Sequence, residues 1–232
     1  MPRLTDATDI PDVVPALNLA NIHHGYGEVS ILRDFNLSMA PGQQRLLIGP
    51  SGSGKSTLIN LICGFLRPDR GTIRVAGKLI SEGSEATRDA VRKAHIAVVF
   101  QALRLVSAID ISANLLLAAR LAGLRSSRQE ALGLLTELGI ADKAHARPHQ
   151  LSHGEAQRAA IARALIAQPA LLIADEPTSA LDQTNAENVG AMLLRLAEAH
   201  GTSLLIATHD DRLRPFFPAV TELKSTVEGS AQ

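Results

Sequence analysis

Two periodicities divide the chain. In the front third, and again beyond Pro169, apolar positions fall in short blocks bounded by turn residues, the pattern of strands. Expected strands cover 16–20, 29–39, 44–48, 71–75 and 96–100, then 171–175, 203–208 and 219–223. The runs IAVVF, LLIAD and SLLIAT are apolar throughout and predict strands buried on both faces. Between 101 and 168 the strand signals vanish, and apolar spacing near 3.6 predicts helices over 109–121, 129–138 and 155–167. Further helices are expected over 55–65, stopped by Pro68, and over 186–200, with a short one inside the polar piece SEGSEATRDAVRKAH. Buried strands alternating with helices argue for an α/β fold. Its core is a mostly parallel sheet flanked by helices, with a helical subdomain inserted over about 102–168.

Composition narrows the function. The chain has 232 residues, 46% of them hydrophobic, enough for one sizeable core. Lys plus Arg and Asp plus Glu both number 23, with no run of one sign, so the concentrated basic face of a nucleic-acid binder is missing. Cys63 is the single cysteine, which excludes an internal disulfide and suits a residue filling core space. The start, MPRLTDATDIPDVVPA, has neither a basic segment nor an apolar run of secretory length, and reads as a loose tail over 1–15. The most apolar stretch, ISANLLLAARLAGL, is shorter than the roughly 20 residues of a spanning helix and carries Asn114 and Arg120. Any spanning segments are therefore expected in another chain.

The chemistry starts in the loop Gly49-Pro50-Ser51-Gly52-Ser53-Gly54-Lys55-Ser56, followed by Thr57. It fulfils the phosphate-loop pattern between an apolar strand and a helix. Its backbone N–H groups converge on phosphate oxygens, Lys55 is placed for the terminal phosphates, and the Ser56 hydroxyl for Mg²⁺. At Asp175-Glu176 an apolar strand ends in two carboxylates. Alone they would suit a solvated turn. Beside a phosphate loop, Asp175 can hold Mg²⁺ through water and Glu176 can polarise a water toward the γ-phosphate. A second anion site is suggested by LSHGEAQR, residues 151–158. Ser152 and Glu155 are spaced as a capping box, while Gly154 leaves first-turn N–H groups open to a phosphate; local chemistry leaves both readings standing.

The order GPSGSGKST, Gln101 after an apolar strand, LSHGE, LLIADEP, Ser179-Ala180-Leu181-Asp182, then Ala207-Thr208-His209-Asp210 resembles the nucleotide-binding subunit of ATP-binding cassette (ABC) transporters over about residues 16–223. The resemblance implies a P-loop NTPase of ABC type with an antiparallel β part at its N-terminal end, the ATPase domain spanning 16–225 and a tail over 226–232. It implies that Mg·ATP is hydrolysed at two shared sites of a head-to-tail homodimer that drives a separate membrane permease from the cytoplasmic face. Within one site, Tyr26 would stack on adenine, Gln101 would sense Mg²⁺ and the attacking water and begin the segment facing the permease, and His209 would contact the γ-phosphate. Ser152, Gly154 and Glu155 of the signature would meet the nucleotide of the other chain, and Asp182 would link the two sites. Tyr26 as a surface residue and His209 as a structural one are the plainer alternatives.

Two details refine the resemblance. The usual signature is LSGGQ; here Glu155 with the following AQR favours the branch of lipoprotein release and macrolide efflux, pointing to export or lipid-type transport. His153 has no counterpart in that pattern. We read it as a neutral surface residue, with the alternative that its titration, at about pH 6.5 when unperturbed, makes ATP affinity pH-dependent. The short ending after the last strand leads us to expect a stand-alone subunit without an appended regulatory domain. A regulatory ATPase acting on a membrane-bound cell-wall or division apparatus would carry identical motifs. A small-molecule kinase would share the phosphate loop but have no use for LSHGE.

Overall fold

The computed structural model describes residues 13–179 and 181–224. Most of the tail expected over 1–15, all of that over 226–232, and Ala180 lie outside the described residues. Strands β1 (Leu17–Tyr26), β2 (Val29–Met39) and β3 (Gln44–Ile48) lead into helix α1 (Lys55–Ile62). Then come β4 (Arg70–Val75), β5 (Lys78–Leu79), α2 (Glu85–His95) and β6 (Ile96–Val99). The helices α3 (Ile111–Leu121), α4 (Arg128–Glu137) and α5 (His153–Leu165) follow, and β7 (Leu171–Asp175), α6 (Gln183–Ala199), β8 (Ser203–Thr208) and β9 (Val220–Glu222) complete the series.

The apolar runs form a parallel sheet in the order β6-β7-β8-β3-β9, so the expected parallel core is present. Because a strand's side chains alternate between faces, each run supplies two cores. Leu46, Ala97, Leu172 and Leu204 face one core, shared with α3, α4, α5 and α6. Their neighbours Leu47, Ile96, Leu171 and Leu205 face the other, shared with α1 and an antiparallel sheet ordered β2-β1-β4-β5. Helix α5 is built largely of alanine, and its buried Ala159, Ala160, Ala162 and Ala164 belong to the same core as Leu172 and Leu204, so the segment carrying LSHGE rests on the sheet itself.

Several boundaries differ from the expected ones. Strand β1 continues through His23, His24 and Tyr26, past the expected end at residue 20. Asn21, at φ 52°, sits where the β1–β2 register shifts, and buried positions change phase from Leu17 and Leu19 to Ile22 and His24. One irregular residue therefore hides the alternation from a sequence reading. Helices α3, α5 and α6 begin where side chains cap them: Asp110 accepts from Ala113 N at 2.7 Å, Ser152 from Glu155 N at 3.4 Å, and Asp182 from Asn185 N at 2.9 Å.

Helix α1 stops at Ile62, well short of Pro68. Gly64 takes φ 67°, its N–H reaches Leu61 O at 3.0 Å and Phe65 N reaches Asn60 O at 2.9 Å, closing the helix end. Cys63 is fully buried at that end, and burial pushes its thiol up to about 12, so it fills core space as expected. A methyl on Gly64 would sit 2.8 Å from Ile80 Cγ1 in a left-handed conformation. We expect Gly64→Ala to cost about 1–2 kcal/mol, read as a lower urea midpoint at unchanged slope.

Candidate active site

In a parallel sheet all C-terminal strand ends lie on one edge, and here those ends carry the polar residues. The loop after β3 spans 49–54. Gly54 adopts φ 95° immediately before α1, and a Cβ there would lie 2.5 Å from Ile31 Cγ2, so β2 presses on the loop where only glycine fits. A cleft of about 540 Å³ opens beside it. Ser51, Gly52, Gly54, Lys55, Ser56 and Thr57 line it from the loop and α1, Ile31 from β2, and Gln101, Glu176, Ser179 and His209 from the neighbouring strand ends. Gly49, Pro50 and Ser53 are not among the lining residues. Gly49 and Pro50 hold Lys55 from behind: its ammonium, only 7% exposed, donates to their carbonyls at 2.7 Å and 3.1 Å, and Ser53 N donates to Pro50 O at 3.2 Å.

Lys55 Nζ also stands 3.4 Å from Glu176 Oε1. The other Glu176 oxygen, Oε2, accepts from Thr208 Oγ1 at 2.8 Å and from His209 N at 3.4 Å, and lies 2.9 Å from His209 Nδ1. An ionised carboxylate only accepts, so that ring nitrogen carries the proton. Burial pushes the Glu176 carboxyl upward, but the donors His209 and Thr208 and the charges of His209 and Lys55 prevail and hold it below its ordinary value. Asp175 shifts the opposite way: burial and the Glu176 charge raise it, against the pull of Lys55. Two adjacent carboxylates with pKa values pushed apart are suited to different tasks.

The residues present fit a divalent cation. Asp175 Oδ1 is buried with no hydrogen-bond partner among the described residues, while Ser56 and Gln101 line the adjoining cleft. A buried orphan carboxylate oxygen is what a hydrated cation would satisfy. Gln101 Nε2 meanwhile donates to Ser179 Oγ at 3.1 Å.

Other expected residues lie elsewhere. His153, Gly154 and Asp182 line a second cleft of about 580 Å³, and no residue lining it also lines the first. Ser152 and Glu155 form the capping box: Glu155 Oε2 accepts from Ser152 N and Ser152 Oγ, both at 2.8 Å, which holds the Glu155 carboxyl down at about 2. Tyr26 ends β1, 53% exposed, its ring edge-on to His24 at 5.2 Å; it does not line either cleft. His153 is exposed, as expected.

The sequence reading gave no role to Thr208, whose buried hydroxyl donates to Glu176, or to Arg212. Arg212 donates twice to Asp210 at 2.7 Å and also to Leu181 O at 3.3 Å. Arg212, joined by Thr178 Oγ1, holds the Asp210 carboxyl at about 2 despite its burial. Thr208 precedes His209 at the end of β8, and a hydroxyl at a strand end is the signal that points to it.

Residues 32–179 match the family model described as ABC transporter. The chain belongs to the ABC transporter family. It is 42% identical over 189 residues to the lipoprotein-releasing system ATP-binding protein LolD of Maricaulis maris, covering 81% of this chain and 82% of that protein. It is 37% identical over 209 residues to the uncharacterized ABC transporter ATP-binding protein YbbA of Escherichia coli, covering 86% and 92%. The dimeric bacterial ABC transporter cassette MJ0796 superposes with a TM-score of 0.79 at 31% identity, over 90% of this chain and 94% of that one. A second dimeric structure of that cassette, in a post-hydrolysis state with ADP and Pi, superposes at 0.78 with 29% identity, over 93% and 99%. This ABC chain is accordingly an ATPase and the ATP-binding subunit of a transporter, and its fold is that of an ABC-type P-loop NTPase.

The hydrogen bond from Thr208 makes a checkable claim. Removing a donor to the charged form raises a carboxyl pKa. Thr208→Val should therefore move the acidic limb of the kcat/KM profile for ATP hydrolysis to higher pH, leaving the alkaline limb in place.

Proposed function

We propose that this ABC subunit works as a head-to-tail homodimer holding two ATP molecules, and that it energises export of a lipid-modified or lipid-like substrate through a permease in a separate chain at the inner face of the cell membrane. The observation that carries the dimer is the separation of the clefts. The phosphate loop and the N-terminus of α5 line no cleft in common within one chain, so a nucleotide meeting that helix end would be one held by the phosphate loop of another chain. The dimeric state of the superposing cassettes supports this, and the LolD name supports the branch. Among the described residues no helix is long and apolar enough to cross a membrane.

In this reading the loop 49–54, Lys55, Ser56 and Thr57 bind the phosphates, and Tyr26 meets the base. Ser56, Asp175 and Gln101 would hold Mg²⁺, which when bound neutralises phosphate charge as the bond breaks. Glu176, kept ionised by its donors and within reach of Lys55, takes the proton of the water that attacks the γ-phosphate, and His209 fixes the orientation of that carboxylate. Ser152, Gly154, Glu155 and Asp182 act on the ATP of the other subunit. Closing around ATP stabilises the dimer, and hydrolysis removes those contacts.

Glu176→Gln keeps the shape and loses the base. It should bind ATP with wild-type affinity, turn over about a hundredfold or more slowly, and accumulate as a dimer by light scattering in the presence of Mg·ATP. A variant that remains monomeric with saturating ATP would overturn the shared-site reading. Affinity purification of the tagged subunit from detergent-solubilised membranes should retain a multi-span protein.

A further inference from the structure

Helix α5 reaches both catalytic loops of its own chain through two polar side chains. Gln157 is only 3% exposed, on a helix whose other buried positions are alanine, isoleucine or leucine. Its Nε2 donates at 2.6 Å to the carbonyl of Pro177, the residue after Glu176. Farther along the same helix, the Arg163 guanidinium donates to the carbonyl of Leu103 at 3.1 Å and to that of Arg104. Leu103 and Arg104 have φ values of 50° and 49°, a left-handed pair that non-glycine residues adopt only when their surroundings hold them there. The turn is fastened from within as well: Leu103 N donates to Phe100 O at 2.9 Å, and the Arg104 guanidinium lies 4.3 Å over the Phe100 ring.

These contacts close a ring. From α5, Gln157 leads to Pro177 and Glu176. Ser179 follows, its N–H directed at Glu176 O at 3.4 Å and its hydroxyl accepting from Gln101 at 3.1 Å. Gln101 begins the strained turn, and Arg163 returns from that turn to α5. A cavity of about 180 Å³ lies inside, bordered by Gln101, Glu176 and Gln157 and, from the first turn of α5, by His153. Packing alone does not call for such groups. Burial works against the charge on Arg163, as does the neighbouring Arg104. A buried amide or guanidinium is favourable only where its partners are fixed.

We propose that Gln157 and Arg163 are positioning residues for hydrolysis, tying the loop behind Glu176 and the turn behind Gln101 to one rigid helix so that the two side chains keep their mutual placement over the phosphates. The inference rests on the roles given above to Glu176 and Gln101. It predicts a much larger change in turnover than in binding, because the phosphate loop and Lys55, which make the phosphate contacts, lie outside the ring.

Gln157→Met and Arg163→Met remove the donors at similar length, and Arg163→Lys keeps one. For the full chain, kcat should fall about tenfold or more in both Met variants and by an intermediate amount in Arg163→Lys, since small misplacements of catalytic groups are costly. The Kd for a non-hydrolysable ATP analogue should stay within about twofold of wild type, because the phosphate loop that supplies most of the uniform binding is untouched. Urea midpoints identify any variant that fails to fold; if Arg163→Met does, Arg163→Lys and Gln157→Met decide. Folded variants with wild-type kcat, or a Kd that rises in step with the loss of kcat, overturn the inference alone. Wild-type hydrolysis that survives Glu176→Gln overturns the role of Glu176 and the inference with it.

Discussion

All five strands of the central sheet run in the same direction, and a sheet of that kind must be covered on both faces. The alternation of Leu46 with Leu47, Leu172 with Leu171 and Leu204 with Leu205 meets the requirement by feeding two cores at once. Helices fill one side; α1 and the antiparallel sheet fill the other. The same direction gathers every C-terminal strand end at one edge, so the phosphate loop, Gln101, Asp175, Glu176, Thr208 and His209 meet although they are spread over most of the sequence. The site is a consequence of covering the sheet, and its precision comes from the stiffness of the two cores beneath it.

Charge at that edge is arranged around a lysine with little solvent. Lys55 donates to two loop carbonyls and stands near Glu176, so a positive centre is already in place at the mouth of the loop. A phosphate would replace carbonyl acceptors with charged ones, a stronger hydrogen bond in a dry site. The same ammonium adds to the hydrogen bonds of His209 and Thr208 in holding the Glu176 carboxyl down against burial, and partly offsets the upward push of burial on Asp175. One cation thus acts on both acidic groups and, in the proposed complex, would act on the phosphates as well. Thr208 and His209 refine that arrangement by choosing which oxygen of Glu176 faces inward.

What the sequence disclosed depended on how local the physics was. The phosphate loop is legible because its glycines, lysine and serine act within one turn, and LLIAD is legible because a doubly buried strand must be apolar throughout. The extension of β1 was hidden because Asn21 shifts the phase of the alternation, so His23 and His24 look like loop. The end of α1 was misplaced because Gly64 closes it before Pro68 has any effect. In sequence Asn114 is only a polar interruption in an apolar run. It is 1% exposed, and its side chain bonds the backbone of Val106, Ile109 and Asp110. Gln157, within the AQR that marks the branch, and Arg163 give no sign of these contacts, since their partners are 20 and about 60 residues away in sequence and are backbone carbonyls that any residue could supply.

The first turn of α5 supplies a physical basis for the proposed sharing of a site between chains. A helix begins with four N–H groups that have no intrahelical partner. The capping box closes the Ser152 and Glu155 N–H groups through its own side chains, leaving those of His153 and Gly154, which border the second cleft. The charge most able to repel an anion there is the Glu155 carboxylate. It is turned back onto Ser152 and stands 3.4 Å from Lys143 Nζ, so its field is already engaged. Ser152 Oγ donates only to Glu155 in the isolated chain and can redirect that proton when a better acceptor arrives. In the proposed dimer, capping and phosphate binding would be successive uses of one hydroxyl. The helix is stable without a ligand and its N-terminal dipole remains available to one. Because α5 also carries Gln157 and Arg163, an anion settling at its N-terminus would press on the same rigid element that holds Gln101 and Glu176 in register.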